Sequence, residues 1–284
     1  MINRLLLPSL CGTLMTLAAV PVVAQQPAVP PAAIVDNGPG YADVADLVLA
    51  APIIADATIR SATRIKGAEA AGVAPGFTRY YVEADVAALI RGPGGLPARI
   101  GYLVDMGADA RGRTPKLKKM RVLLFARGVA AGPGQLQLVA PDAQIGWAPA
   151  LDARVREVAR AVLAADAPPA ITGVGNAFHV AGALPGEGET QVFLQTADGR
   201  PVSLSILRRP GEEPRVAVAL SEIVDEAAGP PARDTLLWYR LACALPPALP
   251  AASTADLAPG DAERAQADYR FVIESVGACG RTRG

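Results

Sequence analysis

The stretch Ile53-Ile54-Ala55-Asp56-Ala57-Thr58-Ile59-Arg60 alternates with a period of two. Ile53, Ala55, Ala57 and Ile59 fall on one face, and Asp56, Thr58 and Arg60 on the other. Successive strand side chains point to opposite sides of a sheet, so this pattern is that of a half-buried strand. The same period returns downstream. Tyr80, Val82, Ala84 and Val86 alternate with Arg79, Tyr81, Glu83 and Asp85, and Ile100, Tyr102 and Val104 begin a third strand after a turn at residues 92–97. Residues 122–126 are apolar on both faces, the mark of a central strand, and residues 135–139 form a fifth. Short strands at this spacing, with one small helical insert near residues 66–71, specify a compact antiparallel barrel or sandwich over residues 41–148.

Ahead of the first strand, residues 41–51 carry Val44, Leu47 and Val48 at helical spacing, and Pro52 ends the run. The clearest helix follows the strands. Leu151, Val155, Val158, Ala159 and Val162 make one stripe, with Asp152, Arg156, Glu157 and Arg160 opposite, and Pro149 and Pro168-Pro169 punctuate its ends. Residues 149–167 read as a linking helix. Period two then resumes over residues 178–180, 191–195, 202–207 and 216–220. Asp198-Gly199 sits between two of these runs as a hairpin signal. Three helical segments follow: residues 221–226, residues 234–245 with Leu237, Trp238 and Leu241, and residues 261–276 with Ala265, Tyr269, Val272 and Ile273. Strands followed by segregated helices make residues 171–284 an α+β domain, a β-meander with C-terminal helices. The expected class is therefore α+β, a small barrel joined by a helix to an α+β domain.

The first 24 residues read as a cleavable secretory signal: Arg4 before an apolar run, Pro21 as helix breaker, and Val22 and Ala24 before the cut. Pro8, Ser9, Gly12, Thr13 and Thr16 interrupt the run too often for a membrane span, and Leu10 before Cys11 does not fit a lipoprotein cleavage site. Residues 25–40 form a Pro/Ala-rich spacer. No later segment reaches transmembrane length, so the expected location is the periplasm or the medium.

Only Cys243 and Cys279 lie outside that leader, and two cysteines in an oxidising compartment form one disulfide, worth roughly 4 kcal/mol by loop-closure entropy. The chain carries 27 basic and 27 acidic side chains, and losing Arg4 leaves one acidic charge in excess. Such a balance gives no field for a nucleic acid partner. Arginine outnumbers lysine 23 to 4, which, with abundant Ala, Gly and Pro, fits a high-GC genome.

Motifs for chemistry are sparse. His179 is the one histidine, and no HExxH or CxxC spacing accompanies it, so neither a metal site nor a cofactor is expected. Between Phe178 and Val180, His179 is expected to face outward. Gly173-Val174-Gly175 lacks the third glycine and the strand-before, helix-after context of a dinucleotide loop. Glu83 and Asp85 share a strand face and could do acid–base work; a solvated sheet face is the plainer reading. Glu222, Asp225 and Glu226 meet the same alternatives. Lys116, Lys118, Lys119 and Arg121 could grip an anionic partner, and the plainer reading is protection of an exposed strand edge.

The run from Asp56 through Leu89-Ile90-Arg91-Gly92 to Val122-Leu123-Leu124-Phe125 resembles the OB-type barrel of netrin-like secreted modules, over residues 53–140. That resemblance implies a five-stranded barrel and no particular activity. In overall character the chain resembles functionally uncharacterised exported proteins of sphingomonad-type bacteria. Together these readings anticipate a non-catalytic binding or interaction module with an envelope or protein partner of unknown identity. The alternative is a periplasmic hydrolase working through Glu83 and Asp85, or through His179.

Overall fold

The computed structural model describes residues 38–109, 111–130, 132–220 and 229–283. The expected leader (residues 1–24), most of the spacer and the segment 221–226 with Glu222, Asp225 and Glu226 lie outside these residues.

Among the described residues, ten strands and four α-helices follow one another as α1 (Tyr41–Ala50), β1 (Ile53–Arg64), β2 (Phe77–Arg91), β3 (Arg99–Gly107), β4 (Arg121–Gly128), β5 (Gln135–Leu138), β6 (Gln144–Gly146), α2 (Pro149–Leu163), β7 (Ile171–Ala181), β8 (Gly188–Thr196), β9 (Val202–Arg208), β10 (Arg215–Ala219), α3 (Leu236–Ala242) and α4 (Pro259–Val276). The small helical insert expected near residues 66–71 is a 3-10 helix at Gly67–Ala70. The class is α+β.

β1 lies between β2 and β4, and β4 pairs in turn with β5. The sheet closes where β5 runs parallel to β3, through Gly101 opposite Gln135 and Tyr102 opposite Leu136. The result is a closed barrel in the order β1-β2-β3-β5-β4, with β6 added beside β4. One parallel pair therefore completes a barrel expected to be wholly antiparallel. Three register shifts along β1 and β2 supply the bends that a five-stranded closure demands. Ala57, Ile59, Val82, Ala84, Ile100, Tyr102, Val122, Leu124 and Ala126 fill the interior.

β4 is apolar on both faces because both are covered. Leu124 faces into the barrel, whereas Leu123 and Phe125 face out onto a helical layer with Val44 and Val48 of α1 and Val155 and Val158 of α2. Ile54 of β1 joins that outer layer. So the face of β1 assigned to solvent is buried over its first half, and Asp56 is enclosed with it. Arg121 answers the buried carboxylate with two bonds, Nε at 2.9 Å and Nη2 at 2.6 Å, and lies 3.7 Å over the Trp147 ring.

β7 to β10 form a meander in sequence order. Val192, Leu204 and Ile206 of this sheet pack on Trp238 and Leu241 of α3 and on Tyr269 and Val272 of α4, in the same apolar cluster that receives Ile54 and Phe125 from the barrel. The two sheets thus share a core. Cys243, at the end of α3, is bonded to Cys279 beyond α4, with Cα atoms 4.8 Å apart. The chain after Cys279 crosses to α1. There Asp43, fully buried, accepts bonds from the Gly40 and Thr282 amides, the Thr282 hydroxyl and the Arg283 amide, and Asp46 holds Arg281. Among the described residues, no helix is long and apolar enough to cross a membrane.

Candidate functional site

Two concavities carry chemistry. The larger is an open groove of about 930 Å³ on the outer face of the barrel. Its walls are the β1–β2 connection (Ile65 and Glu69), Arg79 and Tyr81 of β2, residues 102–105 of β3, Arg127 at the end of β4, and residues 135–141.

The floor exists because β3 has a glycine at position 101. A Cβ there would fall 2.2 Å from the Tyr81 hydroxyl oxygen, so only glycine lets the Tyr81 side chain cross β3. The Tyr81 hydroxyl then donates to Gln135 Oε1 of β5 at 3.2 Å. Beside it, Leu103 is 51% exposed, a large apolar side chain standing in the groove. Polar groups at the rim are pre-arranged in pairs. Arg79 holds Asp105 through Nε and Nη2, each at 2.8 Å, and these bonds keep the Asp105 carboxyl below the ordinary carboxylate value. Arg127 donates from Nε and Nη2 to Gln137 Oε1 at 3.2 and 3.0 Å. With Glu69, the rim carries two positive and two negative side chains.

The second concavity, about 320 Å³, lies between the β7–β8 loop, β9 and α4 and contains His179. The structure reverses the expected orientation of this residue. Phe178 and Val180 are exposed, and Phe178 stacks against Phe193 at 5.7 Å on the outer face of the sheet. His179 points inward with only 7% of its side chain exposed. Its Nδ1 lies 2.9 Å from Thr190 Oγ1, and Thr190 donates in turn to Asp268 of α4, whose other oxygen receives Arg208 Nε. Thr190 and Asp268 are fully buried. Polar groups taken out of water need partners, and inward is where these stand.

The remaining sequence candidates are dispersed. Glu83 accepts from Ser61 at 2.7 Å, and Asp85 sits between Arg60 at 3.6 Å and Arg99 at 3.4 Å. Neither lines either concavity. Lys116, Lys118 and Lys119 are exposed on the loop entering β4. Because β4 has strand partners on both sides, there is no free edge for them to guard. Arg121 is occupied by Asp56 and Trp147 rather than grouped with the lysines. Gly173-Val174-Gly175 lies inside β7, where the register with β8 is broken on either side of it.

No family model matches the chain, and no curated protein matches it. Its function must be read from the geometry.

Gln135, Gln137 and Leu103 of the groove, and Thr190, Arg208, Arg264 and Asp268 around His179, were not among the sequence candidates. Two signals point to them. Gly101 interrupts a strand pattern, which marks a close approach of another group. Asp268 falls on the apolar stripe of α4, three residues after Ala265 and four before Val272, where an acid needs a buried partner.

Proposed function

We propose that the protein is an exported binding module whose barrel groove takes an uncharged oligosaccharide. The observation that carries this reading is the composition of the groove. Its lining includes the apolar Leu103, Val139 and Pro141 together with Tyr81, and its rim offers amide and hydroxyl groups and the paired Arg79 and Asp105. A sugar chain has the matching character, with C–H faces that lie on apolar and aromatic surface and hydroxyl edges that take hydrogen bonds.

The strand order supports the OB-type reading of the barrel, and in such barrels the face of β2 and β3 flanked by the β1–β2 and β4–β5 loops binds oligonucleotides or oligosaccharides. Charge favours the second. The rim charges balance, the whole chain is formally neutral, and a polyanion would find no excess of cations to displace its counterions. Export is supported by the leader pattern of residues 1–24 and by the Cys243–Cys279 disulfide, since such bonds persist in oxidising compartments. The hydrolase alternative through Glu83 and Asp85 lacks support, because the two are each engaged elsewhere on the barrel surface.

Calorimetric titration with N,N′,N″,N‴-tetraacetylchitotetraose, a neutral amide-bearing glycan, tests the reading. Binding is expected, with affinity lowered about tenfold or more by Leu103→Asp, which places a charge in the groove lining. The absence of heat from this probe and from maltotetraose, or equal binding by the variant, would contradict it.

A further inference from the structure

The pocket at His179 has a chemistry of its own, unrelated to the groove. Its geometry fixes where the protons lie. Thr190 has one hydroxyl proton and gives it to Asp268, so toward His179 its oxygen can only accept. Nδ1 therefore carries a proton and donates to Thr190, which leaves Nε2 as the titrating atom. Nε2 has no hydrogen-bond partner among the described residues, and His179 lines the pocket. A Cβ on Gly188 would meet His179 Cε1 at 2.7 Å and Nε2 at 3.0 Å, so a glycine at that position is what leaves the ring its place.

Among the described residues, four charged side chains stand around the imidazole on the elements packed against it. Asp268 Oδ2 stands 4.0 Å from Nδ1 and is neutralised by Arg208 on β9. Arg264 of α4, one turn before Asp268, is exposed at the pocket and has no partner among the described residues. Glu187 lies in the β7–β8 loop and is turned back on it, accepting from the Leu184 amide at 3.2 Å. Glu189, next on β8, points to the other face and bonds Ser205 and Gln191. With a neutral imidazole, Arg208 and Arg264 balance Asp268 and Glu187. With an imidazolium, the pocket carries one excess positive charge, with the Nε2–H and guanidinium donors beside it.

We propose that this pocket binds a tetrahedral oxyanion, a phosphate or phosphomonoester group, and binds it when His179 is protonated. The pocket, at about 320 Å³, has room for more than the bare ion. Arg264 supplies the charge-assisted contact from the open side, and the imidazolium supplies the contact from the buried side. Asp268, reached through Thr190, holds the ring in place from behind, so that Nε2 faces the pocket.

Since His179 is the only histidine in the sequence, its imidazole C–H resonance in the untagged mature protein reports the site without ambiguity. That resonance is followed by NMR during titration with sulfate, inorganic phosphate and glycerol 3-phosphate at constant ionic strength. Sulfate does not titrate across the neutral range, so any pH dependence seen with it belongs to the protein. A saturable shift is expected below the midpoint of the His179 titration. Above it, apparent affinity for sulfate should fall about tenfold per pH unit, and by reciprocity saturating sulfate should move the midpoint upward. Arg264→Gln, at an exposed position, should weaken binding about tenfold and Glu187→Gln should strengthen it, and His179→Gln, which removes the reporter and is therefore followed by calorimetric titration with sulfate, should abolish the pH dependence. Tighter binding of glycerol 3-phosphate than of phosphate would assign the site to esters, and the reverse to the free ion. A non-saturating shift, a pH-independent affinity for sulfate, or unchanged binding by Arg264→Gln would overturn the proposal.

Discussion

Asp43 shows how much one carboxylate organises. It is enclosed at the start of α1, and burial by itself would push its carboxyl up. The bonds from the Thr282 hydroxyl and from the Thr282, Arg283 and Gly40 amides outweigh that and leave it below the ordinary carboxylate value. The sign of the linkage follows. Its stabilising effect is complete above the unfolded carboxylate range, near pH 4, and is lost as pH falls through the lower folded value. The protection factors of the Thr282 and Arg283 amides, each exchange rate referred to its intrinsic rate at that pH, should therefore be high at pH 5 and fall steeply in acid before the core unfolds. Protection factors that are equal at pH 5 and in acid would show that Asp43 does not hold the tail. Asp56 is likewise enclosed, and a single partner, Arg121, bonds both of its oxygens. Neither acid was legible as buried, because a partner 65 or more residues away in sequence leaves no local trace.

At the level of elements, strands were easier to read than their closure. Period two located β1 to β5 and the meander, and the 3.6-residue period located α1, α2 and α4, because burial of one face leaves its own spacing in the sequence. β5 meets β3 through only two residue pairs, and so short a parallel contact has no pattern of its own. β6 is three residues long and went unread for the same reason. His179 lies on the face opposite to the one that the apolar parity of Phe178 and Val180 predicts. On this strand the aromatic pairs outward with Phe193, and the bulge between Val174 and Ala177 breaks the count from Ile171. The double-faced burial of β4 was legible, and it yields a quantitative expectation. Phe125→Ala, which empties the helix side, should cost about 4 kcal/mol, and Leu124→Ala, which empties the barrel side, about 3 kcal/mol. Urea unfolding should show both losses. Near-zero cost for either would mean that its face of β4 is not packed.

Taken whole, the molecule is a barrel and a helix-backed sheet fused through one apolar cluster, with the C-terminal strap drawn across α1 and held by the disulfide. Among the described residues, nothing packs over the β2–β3–β5 face of the barrel, while the opposite face, at β1 and β4, is given to the core. The groove is thus where the fold leaves apolar and hydrogen-bonding groups together in reach of a ligand. Its parts were only half legible in the sequence. Arg79 and Tyr81 stood beside the candidate Glu83, but Gln135 and Gln137 come to them through the unforeseen parallel closure. The most direct measurement is an amide chemical-shift map of the isotopically labelled protein with and without tetraacetylchitotetraose. Perturbations concentrated at Tyr81, Leu103, Arg127 and residues 135–139 are expected. A map without saturable shifts there, or with its shifts centred on the His179 pocket or the Lys116–Lys119 loop, would contradict the assignment of the groove as the binding site.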